Sequence, residues 1–200
     1  MNILITGANG FIGRNLVETL KTIRDGKNRT QPELFIENIF EYTRNSSGEE
    51  LAEYTVKADF VFHFAGINRP MKDDEFIPGN CGALETVLDA LKAAENPCPV
   101  LLASSRQASL EGRYTGSEYG RSKLAAENTL RAYGETTGAK ILIYRFPNVF
   151  GKWCRPNYNS AVATFCHNIA RGLSISVSDP AIELELLYID DLVEEMLRAL

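Results

Sequence analysis

The chain has 200 residues, 44% of them hydrophobic and 24% charged, with a formal net charge of −5. That length suits one domain with a sizeable core, and the acidic balance leaves no basic field to attract nucleic acid. No apolar run approaches the roughly 20 residues of a membrane helix, and the opening MNILITGANG lacks the basic start and long apolar core of a signal peptide.

In chain order, NILIT (2–6) reads as a buried strand, followed by a glycine turn and a helix through NLVETLKTIRD. The polar stretch 24–33, with its Gly and Pro, reads as a loop. LFIENIFEY (34–42) contains a second strand, and no element is read from there to a third strand in DFVFHFAG (59–66). GALETVLDALKAAE (82–95) has apolar residues at i, i+3, i+4 and i+7 and predicts a helix. PVLLASS (99–105) is a fourth strand, SKLAAENTLRAYGE (122–135) a helix, and KILIYRF (140–146) a fifth strand. SAVATFCHNIARG (160–172) predicts a helix, and so does the final IDDLVEEMLRAL. Continuously apolar strands imply burial on both faces, as parallel sheets require, and their alternation with helices predicts an α/β doubly wound parallel sheet. We expect a single domain over 1–200, with no internal repeat or linker.

Cys81, Cys98, Cys154 and Cys166 show no CxxC spacing, and His63 and His167 are the only histidines. No metal site is expected, and reduced thiols in a cytoplasmic protein fit best. Both histidines read as packed or surface residues.

TGANGFIG sets Gly7, Gly10 and Gly13 between the first strand and the first helix. Gly7 permits a sharp turn, Gly10 lets the backbone approach a pyrophosphate, and Gly13 allows close helix–strand packing. The helix N-terminus then favours the phosphate charge, so the turn predicts dinucleotide binding. After the second strand, FEYTRNSS offers Arg44, and Arg14 follows the last glycine. A carboxylate at this strand end would receive a ribose 2′-hydroxyl, whereas the planar fork of arginine suits a 2′-phosphate. NADPH is therefore expected over NADH, although Glu41 offers a nearby acid.

The GxxGxxG spacing resembles the extended short-chain dehydrogenase/reductases of nucleotide-sugar type. FHFAG, RFPNVFG (145–151) and YIDDL (188–192) resemble further segments of that family, so the likeness covers essentially the whole chain. It implies a Rossmann fold with a short substrate-binding lobe. The cofactor residues it implies are Gly7, Asn9, Gly10, Phe11, Ile12, Gly13, Arg14, Arg44, Ala65, Gly66, Asn80 and Pro147, together with Tyr119 and Lys123. Asn148 would face the sugar.

Tyr119 is the only one of eight tyrosines with a lysine four residues on, at Lys123, and it follows a strand ending in Ser104-Ser105. The pair alone proves little, since chance supplies one in roughly a third of such chains. Its helical spacing puts both side chains on one face, where the ammonium would favour phenolate. The resemblance implies that Tyr119 protonates a carbonyl oxygen, that Ser105 rather than Ser104 bonds that oxygen, and that Lys123 also holds the nicotinamide ribose. Only 14 positions separate Ser105 from Tyr119, fewer than most extended members have.

FGKWCRPNYNSAVATFCHNIARG (150–172), AGINRP and SSRQAS resemble, within the family, the reductase half of bifunctional capsular-polysaccharide enzymes. This implies NADPH reduction of the 4-keto group of UDP-2-acetamido-2,6-dideoxy-L-hexos-4-ulose. Lys152 and Arg155 would meet the diphosphate, Asn159 and Asn157 would donate to sugar or phosphate oxygens, and Trp153 would form an apolar wall. The alternative, less favoured reading of the segment is a loop with Asn159 or Ser160 capping the next helix. Such enzymes carry a C-terminal metal-dependent cupin domain, which is not expected within these 200 residues.

Two other readings stay open. A UDP-sugar 4-epimerase or 4,6-dehydratase would retain NAD and regenerate it each cycle, and a non-catalytic dinucleotide sensor would typically lack the tyrosine or lysine. Homodimerisation through the Tyr119 helix is the family habit, and Leu124, Leu130 and Tyr133 allow it. No nucleic-acid or membrane partner is expected.

Overall fold

The computed structural model describes residues 1–200 except Ser178 and Arg29, the latter in the polar loop read over 24–33. Two compact units divide the chain, Met1–Arg145 and Phe146–Leu200.

Five strands form the central sheet: β1 (Asn2–Thr6), β2 (Asn38–Tyr42), β3 (Phe60–His63), β4 (Val100–Ser105) and β5 (Ile141–Phe146), in the order β2-β1-β3-β4-β5. The pairings of β1 with β2, β1 with β3 and β3 with β4 are parallel, with Thr6 opposite both Tyr42 and His63. After β2 the chain returns past β1 to the other side, so the order reverses at the carboxyl end of β1, where open α/β sheets bind ligands. The inner strands are buried, while β2 and β5 are largely half-exposed because each has a sheet neighbour on one side only.

Alternation along the strands sorts the core into two faces. Leu4, Val61, Val100 and Leu102 pack with Leu84, Leu88 and Leu91 of α3 (Ala83–Ala93) and with Ala126, Leu130 and Tyr133 of α4 (Glu118–Thr137). Each fully buried leucine contributes about 1.5–3 kcal/mol relative to exposure. The opposite parity carries Glu41, whose carboxylate meets Lys21 of α1 (Phe11–Arg24) at 2.8 Å. That contact places α1 over the other face.

Between β2 and β3 lies α2 (Gly48–Lys57), where no element is predicted. Its GEELAEYTVK is mostly polar and carries a weak apolar period. Ser47 and Glu50 nevertheless form a complete capping box, in which the Ser47 hydroxyl accepts from the Glu50 amide and the Glu50 carboxylate accepts from the Ser47 amide. α4 begins four residues before its predicted start. Ser117 caps it, accepting from the Gly120 amide at 2.8 Å and donating to Gln107 Oε1 at 2.7 Å, which places Tyr119 in the first helical turn.

In the second unit a short parallel pair, β6 (Asn148–Phe150) and β7 (Leu186–Tyr188), stands with α5 (Ala161–Ile169) and α6 (Ile189–Leu197). Ser160 rather than Asn159 caps α5, accepting from the Ala163 amide. No described helix is long and apolar enough to cross a membrane.

Candidate active site

The glycine turn closes against the end of β3. Gly7 has φ +69°, and a Cβ there would lie 2.7 Å from the Ala65 amide nitrogen; a Cβ on Gly13 would overlap the Gly7 carbonyl. Both positions therefore require a bare backbone. The Gly7 amide donates to the Tyr42 carbonyl at 2.9 Å, tying the ends of β1 and β2 together. Asn9 and Gly10 are exposed, Phe11 and Ile12 half-exposed, and α1 starts without a side-chain cap bond or an acidic residue in its first turn. Its first amides and dipole are thus oriented for an anion, and the turn fits the pyrophosphate of a dinucleotide. Arg14 in the first turn of α1 and Arg44, two residues beyond β2, are both exposed.

Asn80 is buried in the wide turn Pro78–Gly82 ahead of α3. Its amide oxygen accepts from the Ile67 amide at 3.1 Å, and its nitrogen donates to the Ile67 carbonyl at 3.0 Å and to Ser122 Oγ at 2.9 Å. These bonds fasten the loop containing Ala65 and Gly66 to α4. Gly66 has no room for a side chain, because a Cβ would overlap Asn80 Oδ1 and stand 3.6 Å from Lys123 Nζ.

Lys123 is buried, and its ammonium donates to the Ala103 carbonyl of β4 at 2.8 Å. Its nitrogen lies 5.9 Å from the centroid of the Tyr119 ring, so the helical spacing does bring the pair together. Phe76 packs on the other partner of that pair, 5.8 Å from the Tyr119 ring centroid. Burial pulls the Lys123 pKa down to about 8, against the opposing charge of Glu127, and the side chain is still mostly an ammonium at neutral pH. Ser104 and Ser105 point apart, as neighbours on a strand must. Ser104 donates to buried Glu127 Oε1 at 2.6 Å, whereas half-buried Ser105 accepts from the Gln107 amide at 3.2 Å.

His63, fully buried at the end of β3, shares a 2.9 Å hydrogen bond between Nδ1 and Thr6 Oγ1. Burial, then the Lys123 charge, holds its pKa down to about 3, so the ring is neutral. The packed reading of this histidine agrees with that placement. His167, in the last turn of α5, is half-exposed.

Sequence reasoning missed Glu127. This carboxylate is fully buried, gripped by Arg145 through Nε at 2.8 Å and Nη2 at 2.7 Å, and bonded by Arg131 at 3.1 Å. Burial pulls its pKa upward, but Arg145, Ser104 and Arg131 outweigh it and keep the group ionised. Its signal was its position, four residues beyond Lys123, together with the arginine of RFPN.

The remaining predicted residues belong to the second unit. Asn148 opens β6, and its side-chain amide donates to the Glu185 carbonyl at 3.4 Å. Pro147 is half-buried, Arg155 and Asn159 are exposed, and Lys152 pairs with Asp190 at 3.2 Å. Lys152 also stands 5.6 Å from the Trp153 ring centroid. Of the positions read as allowing a dimer, Leu130 and Tyr133 are part of the core, which removes them from any surface, and Leu124 is half-exposed. All four cysteines are free thiols, and no metal-binding group of His, Cys, Asp and Glu occurs among the described residues.

The chain is 44% identical over 200 residues to the UDP-2-acetamido-2,6-beta-L-arabino-hexul-4-ose reductase of Pseudomonas aeruginosa, matching all of this chain and 50% of that protein. The capsular polysaccharide assembling protein CapF of Staphylococcus aureus has a similar structure, with TM-score 0.80 and 46% identity over all of this chain and 50% of that one. The chain thus spans about half the length of these two relatives. UDP-glucuronic acid 4-epimerase from Bacillus cereus, in complex with NAD, shares the fold at TM-score 0.79 and 22% identity, over all of this chain and 72% of that one. The model of the NAD dependent epimerase/dehydratase family matches residues 3–200. With its glycine turn at the strand-order reversal and its tyrosine–lysine pair on α4, the chain belongs to the NAD dependent epimerase/dehydratase family.

Proposed function

We propose that the chain is a nucleotide-sugar reductase that uses NADPH to reduce the 4-keto group of a UDP-2-acetamido-2,6-dideoxy-L-hexos-4-ulose, in the supply of a surface-polysaccharide precursor. The observation that carries this reading is the buried Lys123 ammonium beside the Tyr119 ring, in a chain 44% identical throughout to a reductase of such a sugar.

A bound nicotinamide dinucleotide supplies the hydride. Tyr119 gives its phenolic proton to the carbonyl oxygen as the carbon is reduced, and regains one from solvent after the alcohol forms. Ser105 donates a hydrogen bond to that oxygen, and the Lys123 charge favours the phenolate left behind. Asn9, Gly10, Phe11 and Ile12 would hold the pyrophosphate, Ala65, Gly66 and Pro147 the rest of the cofactor, and Lys123 the ribose. NADPH is preferred because Glu41, the one acid in β2, is drawn to Lys21 on the α1 face, and because Arg44 past the strand end and Arg14 in the first turn of α1 have the planar fork that suits a 2′-phosphate. Asn148, Lys152, Arg155 and Asn159 would contact the UDP-sugar. The cytoplasm and a homodimer are part of the same reading, the latter measured by sedimentation.

The test is incubation with UDP-4-keto-6-deoxy sugars while following NADPH absorbance and product identity by NMR. One NADPH oxidised per alcohol formed is expected, with higher catalytic efficiency for NADPH than for NADH. Product formed without net NADPH loss would replace the reductase by an epimerase, and a preference for NADH would remove the cofactor assignment.

A further inference from the structure

Tyr119, Lys123 and Glu127 recur at intervals of four along α4 and so form one stripe of the helix. Two successive residues of the strand beneath bond to the stripe. The Ala103 carbonyl takes the Lys123 ammonium, Ser104 Oγ donates to Glu127, and Ser105 comes next. From the adjacent strand β5, Arg145 closes on the same carboxylate with two parallel bonds, a geometry that fixes orientation as well as charge. Glu127 is therefore the point at which α4, β4 and β5 are joined by directional bonds in the interior.

The charges around Lys123 are few. Glu127 and Tyr119 come from its own helix and neutral His63 from β3, with Arg145 and Arg131 behind Glu127 and Glu111 acting on Arg145. Among the described residues, Glu127, one helical turn beyond Lys123, is the anion acting directly on this buried ammonium, which donates to the Ala103 carbonyl.

On the reading of Ser105, Tyr119 and Lys123 given above, we propose that Glu127 is a positioning residue of this site: clasped by Arg145 and Ser104, it sets α4 in register with β4 and keeps Lys123 an ammonium. It touches neither substrate nor cofactor in this role. Its loss would leave the fold with the right residues but a lysine that discharges too readily.

The experiment is an NMR titration of the whole chain labelled with ¹³Cε-lysine, the Lys123 signal being assigned by its loss in Lys123→Arg. Replacement of Glu127 by Gln keeps the shape and removes the charge, leaving Arg145 to add to the repulsion. The Lys123 midpoint should fall by about half to one pH unit in E127Q and return close to the wild-type value in E127D. The alkaline limb of kcat should move down by the same amount, with kcat lower by about tenfold or more. An unmoved midpoint in folded E127Q would overturn the proposal. If the wild-type chain reduces no sugar, the functional reading falls, yet the titration still decides the role of Glu127. Should E127Q not fold, Ser104→Ala takes its place, removing one bond from the carboxylate while keeping the ion pair. It should lower kcat about fivefold without lowering the melting temperature by more than a few degrees, and an unchanged kcat would overturn the proposal.

Discussion

Lys123 and Lys152 are both marked as site residues by their sequence context, and their surroundings differ in kind. Lys123 is 7% exposed, tied to a strand carbonyl and shifted by burial. The Lys152 side chain is 49% exposed and pairs with an equally exposed aspartate. The same contrast runs through the two units. In Met1–Arg145 the motif residues are held by interior bonds from other elements, as Asn80 is by Ile67 and Ser122. In Phe146–Leu200 they sit on exposed or half-exposed chain, α5 has no buried residue, and Ile169, Leu173 and Leu186 are open to solvent. Ordered interior groups are pre-positioned for chemistry, whereas exposed pairs in high dielectric contribute little until something binds them.

Substitutions can break this contrast, and the largest effect is expected at Tyr119, the proposed proton donor. Tyr119→Phe should reduce kcat by roughly 10²–10⁴-fold while cofactor binding, read by fluorescence titration, stays within about threefold. Retained turnover would remove Tyr119 from the chemistry. Gly7→Ala should come next. Its Cβ meets the β3 loop, and the positive φ adds strain, for a loss of about 1–3 kcal/mol in stability together with cofactor binding. Denaturant unfolding with and without NADPH measures both, and unchanged binding would show that the turn tolerates a side chain.

Lys123→Met should abolish most turnover yet raise stability by about 1–2 kcal/mol at neutral pH. The folded pKa of Lys123, about 8, lies below its ordinary 10.5. Between those values the unfolded chain binds more protons, so wild-type stability rises with pH across that window and the cost of the buried charge is complete below it. The variant's advantage in melting temperature should therefore shrink from pH 7 to pH 10. An advantage independent of pH would contradict the sign. The smallest effects belong to the second unit: Lys152→Ala or Arg155→Ala should change stability by no more than about 0.5 kcal/mol and act on KM for the UDP-sugar rather than on kcat. A fall in kcat with constant KM would move either residue into the reacting centre.

What could be read from the sequence follows the range of the forces involved. The strands of the first unit, the glycine turn and the Tyr119–Lys123 pair were legible because apolar runs and helical spacing are local patterns. α2 was missed because its apolar face is thin, although its Ser47–Glu50 capping box was present to be read. Leu130 and Tyr133 look like an apolar helix surface in sequence, and only packing against α3 and the sheet makes them core.

Sequence alone determined the glycine at the sharp turn after β1, the four-residue spacing of tyrosine and lysine, and that the sheet is parallel, because each follows from residue type and spacing. Tertiary structure alone decided that Ser104 bonds to Glu127 while Ser105 accepts from the Gln107 amide, that Glu41 turns to Lys21, and that Arg145 reaches Glu127 across 18 residues of chain. Those choices depend on which groups lose water together, and desolvation is settled by packing between elements rather than within them.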